Sequence, residues 1–185
     1  MAIRLTVGNK IVYPCQGPCR ISSVVEKVIG DKQKNFYHLA LLDGSGGELF
    51  LPVDGIQAMG IRPLLKKSEI PMLLNKLTMA AEIAKDRKQR ANDTLKRFTT
   101  GSAYDLAEVV ESLTELGKRK ELTLRENWTL ARARKFLICE ISEVMGETKN
   151  AAETRIDQAL ESPKLRGINW VPNYLPAGAE LSHSM

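Results

Sequence analysis

Gly47-Glu-Leu-Phe-Leu-Pro-Val53 and Ser68-Glu-Ile-Pro-Met-Leu-Leu-Asn-Lys-Leu77 lie close together in the chain and follow different periods. The first is short, follows the loop Asp43-Gly-Ser-Gly-Gly47 and carries a proline near its end, the signature of a strand after a turn. The second places Ser68 before an apolar cluster, the signature of a helix and its N-cap. The chain therefore changes class near residue 65. Upstream, Lys10-Ile-Val-Tyr-Pro14, Arg20 to Ile29 and Phe36-Tyr-His-Leu-Ala-Leu-Leu42 are β-branched or aromatic runs. Gly8-Asn9, Gln16-Gly-Pro18 and Gly30-Asp31 divide them. Short strands at such intervals predict a small barrel or sandwich, too small to bury a large core of its own.

Downstream the helical period persists. A helix is expected over Glu82 to Phe98, with Ala84, Ala91, Leu95 and Phe98 on its packed side and Gly101 closing it. Ser102 with Asp105 caps the next, which carries Leu106, Val109, Val110, Leu113 and Leu116 and ends at Gly117. Thr123-Leu-Arg-Glu126 fits a capping box before a long helix whose stripe is Leu130, Ala133, Leu137, Ile141 and Val144. Gly146 stops it, and Asn150 with Glu153 starts the last, packed through Ala151, Ile156 and Leu160. Residues 161–185 hold Pro163, Pro172, Pro176, Gly167 and Gly178 without periodicity and read as a tail that could order around Trp170 and Tyr174. The expected fold class is α+β: a β module over residues 1–65, about five helices over 66–160, and an irregular tail over 161–185.

The 185 residues are 43% hydrophobic and 26% charged, which excludes bulk disorder. No apolar run reaches the roughly 18 residues that span a bilayer, and no secretory signal precedes the first strand, so a cytoplasmic protein without membrane contact is expected. Three cysteines, at Cys15, Cys19 and Cys139, do not form a disulfide framework or a CxxC pair. With two histidines, His38 and His183, no metal-ligand spacing is visible, and no metal or cofactor is expected. Phosphate loops and nucleophile motifs are absent: Gly44-Ser-Gly-Gly47 links two strands rather than opening a helix, so no catalytic residue and no enzyme are expected.

The net charge of +5 is uneven. Residues 71–100 hold seven cations (Lys76, Lys85, Arg87, Lys88, Arg90, Lys96, Arg97) against three anions. Such a segment suits phosphates, and it also suits a solvated helix face. Arg90 and Arg97 face away from Leu95, with Arg87, Lys88 and Lys96 beside them. On the long helix, Trp128 falls about 160° from the stripe centred on Leu130, with Arg125, Arg132 and Lys135 within about 60° of it. An aromatic among cations fits nucleic acid or an acidic protein. Equally, Trp128 could cover the end of a neighbouring helix or the β module.

Val7-Gly-Asn-Lys-Ile-Val-Tyr-Pro14, Gln16-Gly17 and Arg20-Ile21 resemble the opening of the CarD/CdnL family of bacterial transcription factors. The likeness runs on through Leu51-Pro-Val53, Met59-Gly-Ile-Arg62, Leu95-Lys-Arg-Phe-Thr-Thr-Gly101, Leu106-Ala-Glu-Val-Val110, Lys118-Arg-Lys-Glu-Leu122, Glu126 and Ala131-Arg-Ala-Arg134. The resemblance implies a Tudor-like β-barrel that binds the RNA polymerase β subunit by pairing strand edges. Glu48, Leu49, Phe50, Leu51 and Pro52 occupy the matching region, with Lys27 beside them. It also implies helices that contact promoter DNA without sequence specificity, a nucleoid-associated role. Arg87, Lys88, Arg90, Arg97, Trp128, Arg132 and Lys135 are the candidates here. The chain departs at one point: the family's wedge tryptophan falls near Arg87, and no tryptophan stands in 76–100. Trp128 as its substitute, phosphate contact alone, or an adaptor without a DNA role all stay open. Nothing in the sequence indicates an oligomeric state.

Overall fold

The computed structural model describes residues 5–54, 56–80 and 86–162. Strands β1 (Lys10–Tyr13), β2 (Gly17–Ile29), β3 (Lys32–Leu41), β4 (Glu48–Pro52) and β5 (Arg62–Pro63) are followed by helices α1 (Ile70–Thr78), α2 (Arg87–Thr100), α3 (Ala103–Arg119), α4 (Leu124–Met145) and α5 (Lys149–Glu161). This is the α+β class expected. The sheet is antiparallel in the order β4-β3-β2-β1-β5, so β4 and β5 are its edges. The two-residue β5 carried too little pattern to be expected. Its inner face buries Ile11, Cys19, Ile21, Leu39 and Leu51.

Helix ends follow local chemistry. Thr123 and Glu126 form the expected capping box on α4, and Gly146 closes α4 in the left-handed region. Ser102 caps α3 through Asp105 N–H as expected. Three boundaries differ. Ser68 lies in a short 3-10 turn, Lys67–Glu69, and α1 starts after it with Pro71 in its first turn. Gly117 is crossed, and α3 runs on to Arg119. Thr148, not Asn150, caps α5 by accepting Ala151 N–H. The helical core is built from Leu73, Leu77, Leu113, Leu137, Ile141 and Ile156 with their neighbours. Ala133, Leu137 and Ile141 of the expected α4 stripe are fully buried, and Leu130 and Val144 are partly so.

The exception is α2. The expected start at Glu82, and Ala84 with it, lies outside the described residues; the helix begins at Arg87 with Asp86 capping Gln89 N–H. Ala91 and Leu95 are exposed, and Phe98 is its buried apolar residue. The angular relation held, but the helix is turned the other way: Leu95 faces out, so Arg90 and Arg97 face in. The tail reading over 163–185, with Trp170 and Tyr174, also lies outside the described residues.

The two modules meet along α4. Gly17, at φ 86°, lies against Phe136, where a Cβ would stand 2.5 Å from the ring, so only glycine admits this approach. Above it, Glu140 is 1% exposed and accepts Arg62 in bidentate fashion at 2.6 and 2.8 Å. Glu140 Oε1 also accepts Leu65 N–H at 2.9 Å, while Arg62 Nε–H donates to the Gly101 carbonyl at 2.8 Å. One carboxylate thus satisfies groups at the start of the helical module and at the end of the β module. The charged pair is fully hydrogen-bonded, the condition under which burial of charge is tolerated. Lys10–Glu143 and Lys135–Asp43, at 2.6 and 2.7 Å, flank it.

Candidate functional site

Two surfaces of different make lie on the two modules. The first is the outer border of β4. Pairs in the β3–β4 ladder run Phe36↔Pro52 to Ala40↔Glu48. Leu41 N–H donates to the Gly47 carbonyl and Val53 N–H to the Asn35 carbonyl, so those pairs and every second one between them are the hydrogen-bonded ones. Glu48, Phe50 and Pro52 occupy the alternate positions, where backbone groups point away from β3. The outward row is therefore the N–H and C=O of Glu48 and Phe50 and the C=O of Pro52. Among the described residues no strand pairs with that side. Pro52, which has no N–H, stands where its lack costs the ladder nothing.

Side chains sort by the same parity. Leu51 is buried and Leu49 packs against the inner core, while Phe50 is 47% exposed. The Phe50 ring stacks on His38 at 5.0 Å and carries Lys27 Nζ 3.1 Å above its centroid. His38 Nε2 lies 3.1 Å from Glu48 Oε2, without the alignment of a hydrogen bond. The sequence candidates Lys27, Glu48, Phe50 and Pro52 therefore share one outer face; Leu49 and Leu51 are on the other. His38 supports the Phe50 ring from β3.

The second surface is a cleft of about 770 Å³ between α2 and the N-terminal half of α4. Leu95, Phe98, Leu124 and Trp128 supply its apolar wall, with Arg87, Arg125 and Arg132 around them. Leu95 is 46%, Leu124 90% and Trp128 56% exposed. Trp128 packs at a tilt against Phe98, ring centres 6.5 Å apart, and holds Arg132 over its face at 4.7 Å. The indole thus covers part of a neighbouring helix, as one of its two sequence readings has it, and leaves its other side exposed.

The predicted cations divide. Arg87 and Lys88 are exposed at the start of α2. Arg90 is corrected: it is 7% exposed, and its Nε–H donates to Glu126 Oε1 at 3.1 Å. Burial acts to raise the Glu126 carboxyl, but Thr123 N–H and hydroxyl and the Arg90 guanidinium outweigh it and hold the group below the usual carboxylate range. Arg97 pairs with Glu108 at 3.2 Å, but its side chain stays 36% exposed. Arg132 donates to the Cys15 carbonyl at 2.6 Å and so ties α4 to the turn before β2. Lys135 does not join Trp128; it reaches Asp43 in the β3–β4 loop. Burial acts to raise the Asp43 carboxyl, but Lys135 and Ser45 bring it down to about 2.

Burial pushes the thiols of Cys19 and Cys139 up to about 12 and about 11, which leaves them protonated and poorly nucleophilic. The described residues hold no group of three His, Cys, Asp or Glu that could bind a metal. No described helix is long and apolar enough to cross a membrane.

Comparisons with known proteins agree with this division. Residues 5–65 match the CarD-like/TRCF RID domain, a Tudor-like module, and residues 73–157 match the CarD C-terminal domain. The chain is 29% identical over 147 residues to the "Putative transcription factor YdeB" of Bacillus subtilis (strain 168), covering 77% of this chain and 94% of that protein. With both modules matched in order on either side of the Arg62–Glu140 junction, the chain belongs to the CarD/CdnL family of bacterial transcription regulators.

Proposed function

We propose that this chain is a non-enzymatic regulator of transcription initiation that docks on the RNA polymerase β subunit through β4 and touches promoter DNA with the α2–α4 surface. The observation that carries the reading is the outward backbone row of Glu48, Phe50 and Pro52. An incoming strand gains main-chain hydrogen bonds there, each contributing about 0.5–1.5 kcal/mol net, and meets the Phe50 ring capped by Lys27. The interlocked modules then deliver α2 and α4 to DNA at a set orientation. Arg87, Lys88, Lys96 and Arg125, all exposed, neutralise phosphates, and the partly exposed Trp128 stacks or wedges.

The test is capture of the isolated polymerase β lobe by the full chain. Phe50→Ala is expected to weaken capture about tenfold, equivalent to about 1.4 kcal/mol, with the melting curve nearly unchanged. Equal capture by the variant and the parent chain sinks the docking assignment. A second reading, an adaptor with the same dock and no DNA role, is favoured by one observation: Arg90 and Arg97 are turned inward to Glu126 and Glu108. DNA retention that does not weaken as salt rises supports the adaptor.

A further inference from the structure

His38 stands opposite Phe50 in the β3–β4 ladder, at one of the pairs that exchange no hydrogen bonds. At such pairs facing Cα atoms approach to about 4.5 Å and side chains lie closest. The imidazole uses that proximity: it lies within 14° of the Phe50 plane, with centroids 5.0 Å apart. Lys27 reaches the same ring from β2, its Nζ 3.1 Å from the centroid. Phe50 is thus oriented by two neighbours, and neither belongs to the strand that offers the open border.

The histidine is placed to orient rather than to be touched. Its side chain is 21% exposed, against 59% for that of Glu48 on the border itself. Packing alone does not call for a histidine here, since a phenylalanine stacks as well and brings no polar atom into a covered site. His38 Nε2 is covered and has no hydrogen-bond partner among the described residues, and a covered polar atom without a partner needs an explanation. Glu48 Oε2 stands 3.1 Å from it, misaligned for a bond. The imidazole therefore meets two of the three residues of the outward row, Phe50 by its face and Glu48 by its edge.

A strand that adds to β4 covers Phe50 and takes water from Glu48. Ordering a free ring at that moment costs affinity, and a ring already held avoids the cost. Once water is withdrawn, the carboxylate gains by turning onto Nε2, and with the proton on that nitrogen both groups are satisfied in one movement. We infer that His38 is a positioning residue of the β4 dock: its ring holds Phe50 in the orientation an added strand meets, and its Nε2–H donates to the Glu48 carboxylate as the strand seats. The inference rests on the docking reading above.

Capture of the isolated polymerase β lobe by full-length variants tests it. His38→Thr removes the imidazole but keeps a β-branched residue in an interior strand, and it is expected to weaken capture about fivefold. His38→Phe restores the stack without Nε2 and is expected to return capture to within about twofold of the parent chain. The decisive readout is coupling. In a Phe50→Ala background, His38→Thr is expected to cost less than about twofold more, because most of its effect passes through the ring. The same fivefold loss in both backgrounds marks a role independent of Phe50 and overturns the inference. Undiminished capture by His38→Thr beside weakened capture by Phe50→Ala overturns it too, and leaves the docking reading standing. Undiminished capture by Phe50→Ala removes the docking reading and the role of His38 together. Thermal melting checks that each variant is folded at the assay temperature; where His38→Thr is not, the same cycle is run with His38→Leu.

Discussion

The β4 border, implied by the family resemblance, and the basic residues with Trp128 on two helices were both singled out in the sequence, and the fold treats them differently. At β4 the groups that matter are backbone, and antiparallel parity sends those of Glu48, Phe50 and Pro52 outward. At the cleft the groups that matter are long side chains. Arg90 and Arg97 turn inward to Glu126 and Glu108, and Lys135 bends to Asp43. What remains outward is apolar as much as cationic. Backbone direction follows from register, whereas a flexible cation goes to whichever carboxylate is nearest.

Both surfaces depend on the Arg62–Glu140 junction to hold them in one frame, so the largest expected effect lies there. Glu140→Ala leaves Arg62 and the Leu65 N–H without their acceptor, and a loss of about 3–5 kcal/mol is expected in urea unfolding. A loss under about 1 kcal/mol breaks the picture of two modules locked through one carboxylate.

The next effect separates backbone from side chain at β4. Phe50→Pro removes an outward N–H as well as the ring, so β-lobe capture should fall further than the tenfold expected for Phe50→Ala. Leu49→Pro instead breaks an inward bond and should cost stability. If the two prolines act alike, the parity assignment is wrong.

Smaller again is Trp128→Ala. A half-exposed indole against Phe98 and Arg132 contributes about 1–2 kcal/mol, measurable as a lower urea midpoint. A much larger loss makes Trp128 mainly a packing residue. Single substitutions Arg87→Ala and Lys88→Ala should each reduce the log–log salt slope of DNA binding by about one if each meets a phosphate, whereas Arg90, buried against Glu126, contributes nothing to that slope.

The smallest effect is acid sensitivity. Asp43 and Glu126 are both held below their ordinary values, so the unfolded chain binds more protons as acid is added. Their stabilising contribution is complete above about pH 5 and is lost as pH falls through the folded values, toward about 2 for Asp43. Asp43→Asn should flatten the pH dependence of stability in that window, and an unchanged profile counts against the Lys135–Asp43 tie.

Much of the fold could be read from residues alone. Capping chemistry at Ser102, Thr123 and Glu126, glycines at 101 and 146, and the α4 stripe are local signals, set within a turn or two of chain. The strand β5 escaped notice because two residues carry no period. Arg62 and Glu140 also escaped, although a signal existed: Glu140 follows Ala133, Phe136 and Leu137 at helical spacing, inside an otherwise apolar stripe. A carboxylate in that position asks for a buried cation, but nothing in one sequence points to Arg62 rather than another arginine.

The order of strands and helices, their caps and the aromatic and cationic character of the two surfaces were determined by the sequence itself, because they rest on near-neighbour sterics and hydrogen bonding. Which way α2 turns, which arginines pair inward, and that β4 rather than an interior strand carries the open border were decided only by the tertiary structure. The reason is that α2 is polar nearly all round: with little apolar stripe to orient it, carboxylates on α3 and α4 chose its buried face.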